Sequence, residues 1–340
     1  VPGFADTLAQ ACPEALRVGC STAGEITAHG VFDDTTTLTA LRFEHGAVRE
    51  ATTVLADMAD SQAAGARLAE QLQGPDLVGV LVLGQGVAIN GSALVAGMAG
   101  VLGAGVPISG GLAGDGADFQ KTWTLSSTGV SATTLVAVGF YGAGIRLSHG
   151  SFGGWEPFGP ARRVTRCDGN VLYELDGEPA LDIYKRYLGE YARELPASGL
   201  LFPFSMLGRD HAAVGLIRTI LGVDEAAGSL VLAGEIDPEG YLKLMHATPD
   251  ALVDGAQRAA ELACAGSGDS SRLALLVSCV GRKLVLGGRV DEEVESVADV
   301  LGRGAAVTGF YSYGEISPVA GSGECKLHNQ TMTVTVIAES

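Results

Sequence analysis

The motif GCSTAGEI at residues 19–26 recurs near the end of the chain as GFYSYGEI at residues 309–316. Each copy follows a short apolar run and places a carboxylate directly after a glycine. Glycine permits positive φ angles and a close approach of the backbone, so such a bend can line a cavity. The motif therefore predicts a buried strand that ends in a bend, with Glu25 just past the bend in the first copy and Glu315 in the second.

A weaker version of the motif, SGGLAGD, occupies residues 109–115 and ends on Asp115. Repetition within one chain predicts two related halves that face a common site. The bends also carry Ser21, Tyr311 and Tyr313, which are candidate ligand-binding side chains for the same reason. A plainer interpretation stays open, because Gly-Glu-Ile occurs once more at residues 234–236 in what reads as an ordinary hairpin.

The composition is that of a globular protein with a large core, since 47% of the 340 residues are hydrophobic. This length is enough for two domains of ordinary size. Strand and helix patterns alternate and are followed by short, closely spaced strands, which favours mixed and largely antiparallel sheets. We expect an α/β (mixed α+β) fold with two pseudo-duplicated domains, residues 1–176 and 177–340, each a sheet flanked by helices.

Local patterns predict individual elements. Apolar residues at helical spacing indicate helices, apolar or alternating runs indicate strands, and clusters of Gly and Pro indicate loops. The elements expected on these grounds include helices at residues 61–72 and 249–265, strands at 36–43 and 77–83, and a structured loop at 151–160.

A glycine-rich segment, LGQGVAING at residues 83–91, follows a predicted strand and precedes a predicted helix. It lacks the spacing of a dinucleotide-binding loop and the Gly-Lys-Ser/Thr of a P-loop. Asn90 or Ser92 is expected to cap the helix. The N-terminus of that helix is also suited to receive an anionic group of a ligand.

The net charge of −17 argues against binding to nucleic acid or to an anionic membrane surface, because both require basic patches. Residues 77–114 carry no charge, but Gln85, Asn90 and Pro107 interrupt them. A membrane-spanning helix needs about 20 predominantly apolar residues in one run, so a buried strand–helix–strand unit is expected here. No signal-peptide pattern is visible. Because the chain begins at Val1, an N-terminal piece is expected to be absent.

The six cysteines are widely spaced and form no Cys-x-x-Cys pair. This spacing is typical of reduced core residues in a cytosolic protein. Cys20 and Cys279 each lie near a predicted strand end, so an enzyme with a cysteine nucleophile stays open as an alternative.

Arg282 follows an apolar predicted strand, with no acidic residue beside it. A guanidinium in this place is suited to hold a carboxylate or phosphate with two hydrogen bonds. The structural alternative is an ion pair with Glu25 or Glu315, and the two interpretations are compatible.

The six histidines are scattered, with no close metal-binding cluster beyond a lone Cys/His pair at residues 325–328. A haem needs only one or two axial ligands, so scatter does not exclude it. His149 and His328 are the candidates for such a ligand.

Three segments together resemble the FIST family, named for F-box and intracellular signal transduction. They are the motif at residues 19–26, the run GGLAGDG at 110–116, and the ending at 309–316 followed by LHNQTMTVT at 327–335. The resemblance extends over nearly the whole chain, with an N-terminal FIST domain to about residue 176 and a C-terminal FIST domain after it.

The resemblance implies a cytosolic sensory module of bacterial signal transduction that binds a small ligand such as an amino acid. It also implies a partner that is a histidine kinase or a cyclic-di-nucleotide enzyme. Some bacterial members are similar to nitric-oxide sensing proteins, which carry haem and control a partner kinase.

We therefore expect a cytoplasmic protein, without catalytic activity, that senses a small molecule bound between its two domains. A ligand with both amino and carboxylate groups would match three acidic bends and one arginine. The expected ligand-binding residues are Ser21, Glu25, Asp115, Arg282, Tyr311, Tyr313, Glu315 and Asn329. The alternatives are a haem-based nitric-oxide sensor, a cysteine enzyme and a scaffold that binds no ligand.

Overall fold

The structure is a computed structural model that describes residues 2–265 and 272–340. Most of its helices are amphipathic and cover sheets. The α-helices are, in chain order, α1 (Pro2–Ala11), α2 (Ser61–Leu72), α3 (Gly91–Leu102), α4 (Ala180–Leu188), α5 (Pro249–Cys264), α6 (Val280–Leu286) and α7 (Val290–Leu301).

The strands are short, and most of them pair antiparallel. They are, in chain order, β1 (Gly19–Cys20), β2 (Glu25–Thr27), β3 (Gly30–Phe32), β4 (Ala47–Val54), β5 (Leu77–Gly84), β6 (Ile108–Leu112), β7 (Thr124–Ser126), β8 (Gly129–Ser131), β9 (Thr134–Tyr141), β10 (Ile145–Phe152), β11 (Glu156–Asp168), β12 (Val171–Leu175), β13 (Glu178–Pro179), β14 (Phe204–Leu207), β15 (Ala213–Arg218), β16 (Ile220–Asp224), β17 (Ser229–Leu232), β18 (Tyr241–His246), β19 (Arg272–Cys279), β20 (Ala305–Ser312), β21 (Gly314–Pro318), β22 (Cys325–His328) and β23 (Met332–Glu339).

Two six-stranded sheets share one plan. The first sheet has the order β22-β21-β6-β5-β9-β4, and the second has the order β3-β2-β20-β19-β23-β10. In each sheet the two central strands, β5 with β6 or β19 with β20, pair parallel. The other neighbours pair antiparallel. The mixed α/β class is confirmed, and the common plan shows the repeated architecture that the duplicated motif predicted.

The two halves exchange hairpins. The hairpin β21–β22, which opens with the Gly-Glu-Ile of residues 314–316, adds to the first sheet through β6, with Gly314 opposite Leu112. The hairpin β2–β3, which opens with the Gly-Glu-Ile of residues 24–26, adds to the second sheet through β20, with Ile26 opposite Gly309. Both large sheets therefore contain strands from either side of residue 176. The boundary placed there from the sequence stays a prediction.

The two sheets lie face to face between layers of helices. Leu83 and Val136 of the first sheet pack with Val277 and Phe310 of the second in one buried cluster. Helices α2 and α3 cover the outer side of the first sheet, and α5 and α7 cover the outer side of the second. Apolar burial on both faces of each sheet explains the nearly continuous apolar runs of β5 and β19. Among the described residues, no helix has the length and apolar character needed to span a membrane.

A third sheet is inserted between β10 and α5. Its strand order is β15-β14-β18-β11-β12-β17-β16, with β13 beside β12, and its strands pair antiparallel. Helix α4 packs on this sheet through Leu181 and Tyr184, which belong to a core separate from that of the two large sheets.

Two local expectations are wrong. Residues 36–43 form no strand. They lie on the surface, where Leu38 is 64% and Leu41 is 45% exposed. The described part of the chain pairs no strand with this alternating segment. The loop expected at 151–160 becomes strand β11 from Glu156 onward, and a register shift between Pro157 and Ala161 accommodates the glycine and prolines.

Small residues let α2 and α3 approach closely. A Cβ added at Gly97 of α3 would lie 2.0 Å from the carbonyl oxygen of Gln62, and one at Gly65 of α2 would lie 2.2 Å from that of Leu94. By contrast, Gly100 of α3 has open space around it.

We predict opposite effects for two alanine substitutions in α3. Gly97→Ala forces the helices apart and should lower the free energy of unfolding by about 1–3 kcal/mol. Gly100→Ala is the matched control and should be neutral or stabilising by up to about 1 kcal/mol, through helix propensity alone. Urea denaturation measures both, and equal effects would contradict the tight helix contact.

Candidate functional site

The three glycine bends converge in space. Ala23 donates its backbone N–H to the Tyr311 carbonyl at 2.8 Å, and Tyr311 donates to the Gly24 carbonyl at 2.8 Å. On the other side, Gly114 donates to the Ser21 carbonyl at 3.0 Å. The first bend therefore contacts both of the others, although the three carboxylates bond to different partners.

Arg282 is fully buried and pairs with Glu293, which sequence reasoning did not single out. Its Nη2 lies 2.8 Å from Glu293 Oε2 and also donates to the Leu252 carbonyl at 2.8 Å. Its Nη1 donates to the Gly153 carbonyl. The alternative considered from the sequence, an ion pair with Glu25 or Glu315, does not form, because Arg282 pairs with Glu293 of α7.

The same carboxylate holds Tyr311. Glu293 Oε1 accepts from Ser278 Oγ at 2.6 Å and from the Tyr311 hydroxyl at 3.2 Å. Burial raises the pKa of Tyr311 well above its ordinary value, and the nearby Glu293 charge raises it further. These groups satisfy one another, so Arg282 and Tyr311 act as parts of a buried network.

Glu315 is fully buried in a pocket of hydroxyl and amide donors. Its Oε1 accepts from Ser312 Oγ at 2.9 Å, and its Oε2 accepts from Thr331 N at 3.1 Å and Thr331 Oγ1 at 2.9 Å. Burial raises the pKa of Glu315 to about 8, against the effect of these donors and the Arg282 charge. Asn329, nearby in the chain, is 1% exposed, and its Oδ1 has no hydrogen-bond partner among the described residues.

Asp115 and Tyr313 meet directly. The Tyr313 hydroxyl donates to Asp115 Oδ1, and the Phe119 ring stacks on the Tyr313 ring at a centroid distance of 4.2 Å. Burial alone would raise the pKa of Asp115. The hydrogen bonds from Tyr313 and from the backbone of residues 119–121 outweigh it and hold that pKa below its ordinary value.

Glu25 and Ser21 make local contacts. Glu25 accepts from Thr22 Oγ1 at 2.7 Å and from Thr35 Oγ1 at 2.7 Å. Ser21 Oγ accepts from Trp123 N at 3.0 Å. The structure thus brings together Arg282 with Tyr311 and Asp115 with Tyr313, while Glu25 and Ser21 hold the first bend in shape.

A cleft of about 230 Å³ opens at the carboxyl edge of the first sheet. The segments after β4 and β5, the segment before β9, and residues 120–122 form its walls. Ligands of open α/β sheets bind at this kind of edge. Its polar lining residues are Asp57, Gln85, Gln120, Lys121, Thr122 and Thr133.

The glycine-rich segment after β5 forms one wall of the cleft. Gln85 Oε1 accepts from the N–H groups of Val87 at 2.9 Å and Ala88 at 3.0 Å. Asn90 caps α3, since its Oδ1 accepts from Ala93 N at 3.0 Å. Of the two residues considered from the sequence, the cap is therefore Asn90. These hydrogen bonds hold the segment at the N-terminus of α3.

The charged groups of the cleft are Lys121 and Asp57. Nothing in the described part of the chain lies within ion-pair or hydrogen-bond distance of the Lys121 ammonium. Asp57 Oδ1 accepts from Asp60 N at 3.0 Å, where it caps a short 3₁₀ turn, so this carboxylate is partly engaged. Sequence reasoning missed both residues, since single exposed charges outside any motif give no signal.

The corresponding edge of the second sheet is filled. Trp155 Nε1 donates to the Gln330 carbonyl at 2.8 Å, and Gln330 Nε2 donates to the Leu200 carbonyl at 3.0 Å. Arg282 occupies the space beside them, where it bonds the Gly153 carbonyl. The cleft therefore lies at the carboxyl edge of the first sheet and not at that of the second.

The two candidate haem ligands do not fit an axial role. His328 is 1% exposed, and its Nε2 donates to the Ser317 carbonyl at 3.0 Å. His149 Nδ1 lies 3.3 Å from Thr335 Oγ1, and its Nε2 is buried. Neither ring presents an accessible nitrogen to a ligand. Within residues 2–265 and 272–340, no group of three or more potential metal ligands comes together.

The two candidate nucleophiles are poorly placed for thiolate chemistry. Burial raises the pKa of Cys20 to about 12 and the pKa of Cys279 further. A reactive thiol needs a lowered pKa and access to substrate. Burial therefore disfavours the thiolate form of both cysteines.

We predict that Glu315→Gln flattens the pH dependence of stability. Above the ordinary pKa of about 4.3 an unfolded chain ionises this carboxyl, while the folded protein keeps the proton until about pH 8. The folded state then holds the extra proton, so this group's contribution to the free energy of unfolding falls as pH rises through that window. Gln stays neutral, so the variant should lose less stability on raising the pH.

Chemical denaturation at several pH values measures this effect. Glu14→Gln, which changes an exposed carboxylate, serves as the control and should keep the parent profile. A Glu315→Gln profile that parallels the parent would mean that Glu315 is ionised in the folded protein.

The chain is similar to known families and proteins over most of its length. Residues 1–178 match the FIST N domain, and residues 180–318 match the FIST C domain. An uncharacterized protein of Mycobacterium tuberculosis is 31% identical over 195 residues, which cover 55% of this chain and 49% of that protein. An uncharacterized protein of Mycobacterium bovis is 30% identical over 195 residues, with the same coverage.

A more distant similarity extends to an archaeon. An uncharacterized protein of Methanocaldococcus jannaschii is 35% identical over 88 residues, or 26% of this chain and 17% of that protein. The chain spans about half the length of the mycobacterial relatives it matches. FIST domains are sensory domains of signal transduction. Because the FIST N and FIST C domains match successive parts of the chain, the chain belongs to the FIST family.

Proposed function

We propose that this chain senses a small molecule in the cleft at the carboxyl edge of the first sheet and passes the signal to a partner protein. The observation that carries the proposal is the cleft of about 230 Å³, whose wall holds the Lys121 ammonium without a partner among the described residues. Most of the buried residues expected between the domains bond to one another or to the backbone instead, which leaves them few free groups for a ligand.

The proposed ligand is a small amino acid. Lys121 offers a positive charge for a carboxylate, and Asp57 offers a negative charge for an ammonium. Leu55, Val87 and Ala132 supply apolar surface for a short side chain. A mixture of a few placed polar groups with apolar walls is typical of small-molecule sites.

The proposed output is a shift between two conformations that a histidine kinase or a cyclic-di-nucleotide enzyme detects. A ligand changes such an equilibrium only as far as its affinities for the two states differ. The sensory character of FIST domains supports this role. The proposed location is the cytoplasm, which agrees with the wide spacing of the six cysteines.

We predict that Lys121→Gln weakens ligand binding by about tenfold or more, because it removes a charge-assisted hydrogen bond of about 1.5–3 kcal/mol. A thermal-shift screen of the full chain against the twenty common amino acids identifies the ligand, and calorimetry then compares its Kd for the variants.

Lys185→Gln is the matched control. This lysine pairs with Glu225 on the inserted sheet, away from the cleft, so binding should be unchanged. If the screen gives no ligand, or if Lys121→Gln binds like the parent, the cleft is not the amino-acid site.

A further inference from the structure

We infer that Asp115 and Tyr313 are positioning residues, which hold the Lys121 segment in its binding geometry and couple it to the crossing between the two large sheets. The role assigned to Lys121 rests on the proposed function. The mechanical coupling itself rests on contacts of the described chain alone.

Asp115 fixes the backbone of the cleft wall. Its Oδ1 accepts from Phe119 N at 2.9 Å, and its Oδ2 accepts from Gln120 N at 2.9 Å and Lys121 N at 2.6 Å. Three successive N–H groups on one carboxylate leave this loop little freedom. The position of the Lys121 side chain therefore depends on the place of Asp115.

Tyr313 holds Asp115 in position. Its hydroxyl donates to Asp115 Oδ1 and lies 3.3 Å from Asp115 N and 3.2 Å from Phe119 N. The Phe119 ring stacks on the Tyr313 ring with an interplanar angle of 16°. Phe119 has a φ of +53°, a left-handed conformation that is uncommon for a bulky residue. The surrounding contacts thus maintain a backbone that the sequence would not adopt by itself.

Tyr313 is also the residue at which the chain changes sheets. Ser312 ends β20 in the second sheet, and Gly314 begins β21 in the first. Tyr313 N donates to the Leu112 carbonyl at 3.1 Å. A displacement of the Lys121 loop would therefore act on the crossing between the sheets through the Tyr313 side chain, beside the backbone contacts of Gly114 and Trp123 with Ser21.

The coupling predicts a shared titration that needs no ligand. In amide NMR spectra of the full chain, the resonances of Phe119, Gln120 and Lys121 should shift together as Asp115 is protonated. The midpoint should lie below the ordinary range of aspartate, because the hydrogen bonds hold the pKa of Asp115 low. The amide of Gly314 should follow the same curve.

Tyr313→Phe tests the link, because it keeps the ring stack and removes the hydroxyl. The titration midpoint of the Phe119, Gln120 and Lys121 amides should rise toward the ordinary aspartate range. The Gly314 amide should no longer titrate with them. Asp115→Asn should abolish the common titration. Tyr191→Phe, at an exposed tyrosine just after α4, should leave the curves unchanged.

A Tyr313→Phe protein in which Gly314 still follows the parent's midpoint would overturn the inference. A parent protein in which the Gly314 amide never titrates with the loop would overturn it as well. Failure of the amino-acid screen with the shared titration intact would instead remove the proposed function and leave the coupling standing.

Discussion

The exchange of hairpins between the two large sheets is the constraint on which the rest of the structure depends. A sheet edge presents unpaired N–H and C=O groups that need a partner. Here the edge of β6 is covered by β21, and the edge of β20 is covered by β2. The glycine bends must therefore cross at the same place. Their crossing brings Ala23 against Tyr311 and Gly114 against Ser21.

The two halves keep one plan and use it differently. In the second sheet the carboxyl edge is occupied by Arg282, Trp155 and Gln330, and a buried ion pair with Glu293 compensates the guanidinium charge. A buried pair of this kind is costly to break, since either partner alone would be an uncompensated charge. In the first half the same edge carries small and polar side chains and leaves a cleft. The edge of the second sheet thus bonds to segments on either side of the inserted strands, and the edge of the first sheet leaves room for a cleft.

Local sequence predicted the elements better than their arrangement. The helix at Ser61–Leu72 and the apolar strand from Leu77 were recognisable because their spacing matches the helical and buried-strand periods. Residues 36–43 show a strand-like alternation but have no partner strand in the described chain. Whether a segment pairs depends on its neighbours in the fold, which its own sequence does not specify. Glu293 reads as one more solvent-facing acid in the acidic first turn of α7, yet it is fully buried against Arg282. The repeated bends predicted two halves that face a common site, whereas the sheet that each following hairpin joins depends on tertiary contacts.

The hairpin exchange also bears on how a growing chain matures. Glu25 pairs with Phe310, so the hairpin β2–β3 has its partner strand only after the chain has been made as far as β20. Contacts between residues this far apart in sequence carry a large loop-closure cost and slow folding. On the ribosome, the first sheet lacks β21 and the second lacks both central strands until late in synthesis. Each sheet is then completed only when strands from both parts of the chain are present.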